Sequence, residues 1–107
     1  TNQMIGSIKF EKLDEIKGEA ELGYFLRKDF WGKGLMTEAV KELAYLSFEK
    51  FQLKELKIVT HVENAGSQKV ALKAGFRLFR QFKGSDRYTR KMRDYYDFRL
   101  GRGDFYE

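Results

Sequence analysis

The sequence predicts a mixed α/β domain of the α+β kind, a mostly antiparallel sheet with flanking helices, and three observations predict it. Apolar and polar residues alternate through three of the five short stretches that read as strands, the period of half-buried strands. One longer stretch instead repeats its apolar residues every three to four positions, the period of a helix lying on a core. Clusters of Gly, Asp, Asn and Ser separate these stretches in a chain that contains no proline.

In order along the chain, residues 5–12 and 20–26 read as strands. Ile8 and Phe10 alternate with Lys9 and Glu11, and Ala20, Leu22, Tyr24 and Leu26 alternate with Glu21 and Gly23. The polar segment 13–19 has the length of a hairpin connection. Residues 35–52 form the predicted long helix, with Met36, Val40, Leu43 and Ser47 inward and Ala39, Leu46 and Phe51 beside them. Alternation returns at 53–62, which puts a third strand after the helix in a β-α-β crossover. A short helix follows at 64–73, capped by Asn64 or Ser67, facing inward with Val70, Ala71 and Ala74, and stopped by Gly75. Strands at 76–82 and 95–100, joined through Gly84-Ser85-Asp86, complete the order. Only two helices cover this sheet. An exposed apolar face or edge is therefore expected, together with further chain before Thr1 or a second copy pairing through the end strands.

Composition bounds what such a domain can be. At 107 residues the chain is one domain, and 42% apolar with 16% aromatic residues supply a core. No apolar run approaches the roughly 20 residues that span a bilayer. The absence of cysteine removes disulfides, thiolate metal sites and thiol nucleophiles, and His61, the one histidine, leaves no imidazole cage. No metal is expected, and a reducing, cytoplasmic setting fits. The net charge of +5 is local: Arg80, Lys83, Arg87, Arg90, Lys91, Arg93, Arg99 and Arg102 face only Asp86, Asp94 and Asp97, while the remaining residues balance. Lys and Arg along a strand pair also serve to blunt its edges, so nucleic acid is not the expected partner.

The most informative segment is Trp31-Gly32-Lys33-Gly34-Leu35-Met36-Thr37-Glu38-Ala39, between a strand and the long helix. Two glycines let the backbone turn tightly and approach a ligand, and the helix start aims unsatisfied N–H groups at the same place. Such a cradle suits an anion, above all phosphate. It lacks the third glycine of a dinucleotide fingerprint and the spacing of a nucleotide-triphosphate loop.

These residues resemble the GNAT superfamily of acetyl-coenzyme A dependent N-acetyltransferases, in its ribosomal-protein N-terminal (alanine/serine) acetyltransferase-like branch. The segment Glu19-Ala20-Glu21-Leu22-Gly23-Tyr24-Phe25-Leu26 and the loop from Phe30 to Ala39 are similar to that branch's strand-loop-helix signature. The segment from His61 to Phe76, with Asn64, Ser67 and the final Gly75-Phe76, resembles its second signature. The resemblance implies the acyl-CoA N-acyltransferase fold and transfer of acetyl from acetyl-CoA to a primary amine, on a protein N-terminus, an amino acid or a small amine. It also implies that residues 1–107 form a single domain, the C-terminal two-thirds of the usual one, truncated at its N-terminus. An acyl-CoA-binding module without catalysis is the alternative.

By the same resemblance, coenzyme A is held by Phe25, Leu26, Trp31, Gly32, Lys33, Gly34, Leu35, Met36, Thr37 and Asn64. The work falls to backbone N–H groups, one of which, near Phe25 or Leu26, meets the developing oxyanion. Glu21 is the expected base. Many members protonate the departing thiolate with a Tyr in the second helix; here that position is Ala71, so Ser67 or water takes the role. His61, Trp31 and Glu38 are expected to be structural, and a homodimer is possible.

Overall fold

Alternation places the strands, and pairing then corrects their ends. The computed structural model describes residues 6–86 and 88–106; Ile5 of the first expected strand and Arg87 of the basic strip lie outside the described residues. The elements are β1 (Gly6–Asp14), β2 (Glu19–Leu26), a 3-10 turn at Lys28–Phe30, α1 (Leu35–Glu49), β3 (Glu55–His61), α2 (Ala65–Lys73), β4 (Arg77–Ser85), β5 (Met92–Gly101) and α3 (Arg102–Phe105). They build one five-stranded sheet in the order β1-β2-β3-β5-β4. Every neighbouring pair is antiparallel except β2 and β3, which run parallel across the α1 crossover. The expected mixed, mostly antiparallel sheet is what forms.

Helix α1 stops three residues before its expected end. Gln52 turns left-handed at φ 51°, and the Leu53 N–H donates to the Ser47 carbonyl, reversing the chain into β3. The inward face is Met36, Thr37, Val40, Ala44, Ser47 and Phe48. Leu46 and Phe51 are exposed instead, and the Phe51 ring meets Phe10 edge-on at 5.7 Å. Helix α2 is capped by Asn64, and Gly75 does adopt the left-handed conformation, at φ 97°.

The β4–β5 connection is shorter than the expected strand ends leave, because Gly84 and Ser85 still pair, with Arg93 and Met92, and only Asp86 of the expected turn residues lies outside the ladder. The Asp86 carboxylate turns the chain by accepting from the N–H groups of Tyr88 and Thr89 at 2.8 and 2.9 Å. Strand β5 lies between β3 and β4, so it is not an edge, and the expected strand exchange through both end strands has only β4 on that side. Helix α3 is a third helix beyond the two that the periodicity predicts. It sets Phe105 against the α1 residue Phe48 at 5.3 Å.

Both long helices lie on one face of the sheet. Ala20 and Leu22, Leu56 and Ile58, and Phe98 and Leu100 from adjacent strands share a buried cluster with Val40, Ala44, Phe48, Ala71 and Ala74. The other face is charged in one row and aromatic in another, and the expected exposed apolar surface lies at the β4 edge, where Leu78 and Phe79 are exposed. Register puts Lys12, Glu21, Lys57 and Arg99 in one row, and His61, Tyr95 and Phe82 in another. Between these rows the buried Asp97 carboxylate accepts from Arg99 (Nε 2.8 Å, Nη2 2.9 Å) and from Arg80 (Nε 3.2 Å), and Arg99 also reaches Glu55 at 2.8 Å. Burial pushes the Asp97 carboxyl up, but the Arg99 and Arg80 hydrogen bonds outweigh it and hold the group below the usual carboxylate range. No helix of the described residues is long and apolar enough to cross a membrane.

Asp97 thus joins β5 to β4 and, through Arg99, to β3. Asp97→Ala removes the acceptor that Arg80 and Arg99 share and is expected to destabilise by about 3 kcal/mol in urea unfolding, toward the low end for broken buried pairs because Arg99 keeps Glu55 and Arg80 keeps contact with water. A loss below about 1 kcal/mol would show that the network holds nothing together.

Candidate functional site

Two parallel strands that part company create the site. The β2–β3 ladder runs from Glu19↔Glu55 to Leu22↔Ile58 and stops there. Strand β1 stays paired with β2 out to Gly6↔Leu26, and β5 stays paired with β3 out to His61↔Tyr95. The sheet therefore opens along one seam, leaving residues 23–26 with backbone N–H and C=O groups turned to β3 without a strand partner. A groove of about 550 Å³ includes this seam, and Glu21, Tyr24, His61, Asn64, Ser67 and Asp86 line it. Glu11 lines it too, from a bulge in β1 that lays its side chain over Gly23. A Cβ at position 23 would fall 2.3 Å from the Glu11 carboxylate, so this approach needs glycine.

Beyond the open end of β2 lies the glycine loop. Gly32 and Gly34 are left-handed, at φ 78° and 74°, and nothing lies within 4 Å of where either Cβ would be. Gly34 is the N-cap of α1, and no side chain caps that terminus. The first N–H groups of α1 are thus left without a capping side chain among the described residues, and the helix dipole favours an anion there. Of the expected coenzyme residues, Met36 and Thr37 bury their side chains in the core, so only their backbones can take part. Trp31, Lys33 and Leu35 are exposed. The Trp31 indole N–H donates to the Leu26 carbonyl at 2.6 Å, and the Lys33 ammonium sits 5.4 Å from the Phe30 ring centroid. Phe25 is half exposed. These residues do form one continuous stretch beside the seam; the Leu26 carbonyl is taken by Trp31.

Across the seam, α2 presents its first turn. The Asn64 side-chain oxygen accepts from the Ser67 N–H at 3.0 Å, which caps the helix and leaves the Asn64 amide nitrogen without a partner among the described residues. The Ser67 side chain also reaches β2. Its hydroxyl donates to the Tyr24 hydroxyl at 3.0 Å, and Tyr24 donates to the Ser67 carbonyl at 2.9 Å. Burial raises the Tyr24 phenol above its ordinary value, and the Ser67 hydrogen bond only partly offsets this. Alternation along β2 shows that Tyr24 faces inward and says nothing of what its hydroxyl meets.

Glu21 stands on the charged face, opposite Lys12 and Lys57. His61 lies at the far end of β3, with Nε2 3.3 Å from Asp86 and its ring stacked on Tyr95 at 4.7 Å. Backbone N–H groups of Thr89 and Tyr88 hold the Asp86 carboxyl below the usual range against its burial, with help from the Thr89 hydroxyl and His61. Among the described residues no cluster of His, Cys, Asp or Glu could hold a metal ion.

Comparison with known proteins bears on this arrangement. Residues 1–77 match the model of the acetyltransferase (GNAT) domain. The chain is 36% identical over 73 residues to YdaF of Bacillus subtilis (strain 168), provisionally named a ribosomal N-acetyltransferase, covering 68% of this chain and 40% of that protein. It is 31% identical over 75 residues to the ribosomal-protein-serine acetyltransferase of Escherichia coli (strain K12), covering 70% of this chain and 42% of that one. The chain thus spans about half or less of the length of these curated relatives. A solved structure of the microcin C7 self-immunity acetyltransferase MccE, in complex with acetyl-CoA and AMP, superimposes with a TM-score of 0.85 at 25% identity, over 92% of this chain and 55% of that one.

Asp86 gives the site a pH signature. A carboxyl held low in the fold stabilises it above the unfolded value of about 3.9, and that contribution is lost as pH falls through the folded value. The Tm difference between wild type and Asp86→Ala is expected to shrink steadily from about pH 5 to about pH 2. A gap that stays constant with pH would mean that the carboxylate charge does not secure the turn.

Proposed function

The chain belongs to the GNAT acetyltransferase family, and from that premise we propose that residues 1–107 form a single acetyl-CoA dependent N-acetyltransferase domain acting on a primary amine. One observation carries the reading: the open seam along residues 23–26 leads directly to an uncapped helix start with two left-handed glycines whose Cβ positions are empty. An extended chain ending in a diphosphate fits that pair of features. The backbone N–H groups of residues 32–37 take the pyrophosphate. The unpaired edge of β2 pairs with the amides of the pantetheine arm, and Asn64 offers its amide nitrogen to the same arm. The MccE complex supports this, since that related protein carries acetyl-CoA.

Chemistry then falls to the groove. Glu21 accepts the proton that the attacking amine must lose, directly or through water. The backbone near Phe25 offers an N–H to the oxyanion, and the hydroxyls of Tyr24 and Ser67 stand where α2 faces the seam. Names of relatives give ribosomal protein as the acceptor of the Escherichia coli enzyme; for this chain the reading commits to the primary amine alone.

Calorimetry with coenzyme A tests the cradle. Gly34→Val forces a β-branched residue into a left-handed position and pushes side-chain atoms into the space left open there, so affinity is expected to fall at least about tenfold with the fold retained. Equal affinity in wild type and a folded variant places the phosphates elsewhere. Because the protein has no cysteine, a thiol-release assay reads only liberated coenzyme A. In that assay Glu21→Gln is expected to lower turnover about 10²-fold with coenzyme A affinity little changed. An unaltered pH–rate profile in this variant removes Glu21 from the reaction.

A further inference from the structure

The hydroxyl pair across the seam has a direction. The single Tyr24 proton goes to the Ser67 carbonyl, and the Ser67 hydroxyl spends its proton on the Tyr24 oxygen. Ser67 is therefore placed to stabilise negative charge on Tyr24, while the Ser67 proton is already committed. Both side chains line the groove, and Ala71, one turn further along α2, is fully buried and has no hydroxyl to offer.

We propose that Tyr24 is the proton donor to the departing coenzyme A sulfur, with Ser67 as the positioning residue that steadies the tyrosinate left behind. This rests on the acetyltransferase reading above. As the carbon–sulfur bond breaks, its electron pair goes to sulfur. Tyr24 turns its O–H from the Ser67 carbonyl to that sulfur and gives up the proton, forming the thiol. The tyrosinate is held by the Ser67 O–H and regains a proton through solvent from the group that took the proton of the amine, so no proton is gained or lost over a turnover. A phenol is protonated at neutral pH in any case, and burial of Tyr24 leaves it so.

The role differs from a purely structural bridge in what it does to sulfur. A hydroxyl that donates to sulfur favours the bound thiolate, so its removal must make bound coenzyme A ionise at higher pH. Coenzyme A labelled with ¹³C beside its sulfur reports that ionisation by NMR. It supplies the only thiol in the sample, since the chain has no cysteine.

Coenzyme A affinity is first measured by calorimetry for wild type, Tyr24→Phe, Ser67→Ala and the double variant. In Tyr24→Phe the ionisation constant of the bound thiol is expected to fall about tenfold and kcat about 10²-fold, with coenzyme A affinity and the amine KM within about twofold of wild type. Ser67→Ala should move both quantities the same way by less. Adding it to Tyr24→Phe should change nothing further, because Ser67 acts only through Tyr24. Unchanged thiol ionisation in Tyr24→Phe overturns the proposal and leaves the acetyltransferase reading standing. A further loss on adding Ser67→Ala to Tyr24→Phe also overturns it, by making Ser67 a donor in its own right. Failure of the wild type to bind coenzyme A brings down the acetyltransferase reading and this proposal together.

Discussion

Everything at the candidate site depends on where one backbone ladder ends. Leu22 pairs with Ile58, and the next residues of β2 and β3 do not pair with each other. Buried or half-buried backbone groups rarely go without partners, so an open seam inside a sheet is costly unless a ligand or water fills it. The flanking pairs β1–β2 and β3–β5 continue past this point. They keep each side of the seam rigid, and the opening is thereby fixed in place rather than spread through the sheet.

Three local devices hold the rim of that opening. The Trp31 indole ties the loop to the Leu26 carbonyl at the end of β2. The Asn64 cap starts α2 at the end of β3, and the Tyr24–Ser67 hydrogen bonds tie that first turn back to β2. Chain segments 43 residues apart are thus joined by two hydroxyls, and the two sequence signatures meet at one point. The β1 bulge that places Glu11 over Gly23 is a fourth element of the same rim.

The charged sheet face is organised by Asp97, which has no contact with water yet accepts from two guanidinium groups. Much of the basic strip noticed in the sequence is spent in this way. Arg80 and Arg99 pair with Asp97, Arg93 lies 3.6 Å from Glu63, and Arg102 lies 3.7 Å from Glu49. Net charge in a sequence counts residues, whereas a surface field depends on which of them are neutralised by neighbours from other strands.

Local rules were enough for the five strands, for α1 and α2, for the order of these seven elements and for the glycine loop. Periodicity, the Asn64 cap and the left-handed Gly75 act within a few residues of themselves, and so they can be read along the chain. Helix α1 ended early because the chain had to turn at Gln52 for Leu53 to meet Ser47, a demand set by the position of β3 rather than by the helix itself. The place of β5 inside the sheet, the charged second face, the Asp86 turn against His61 and the meeting of Tyr24 with Ser67 likewise belong to the tertiary structure. Each is a contact between segments that sequence spacing leaves independent, and only the packing of both helices on one face of a twisted sheet brings those side chains within hydrogen-bonding range.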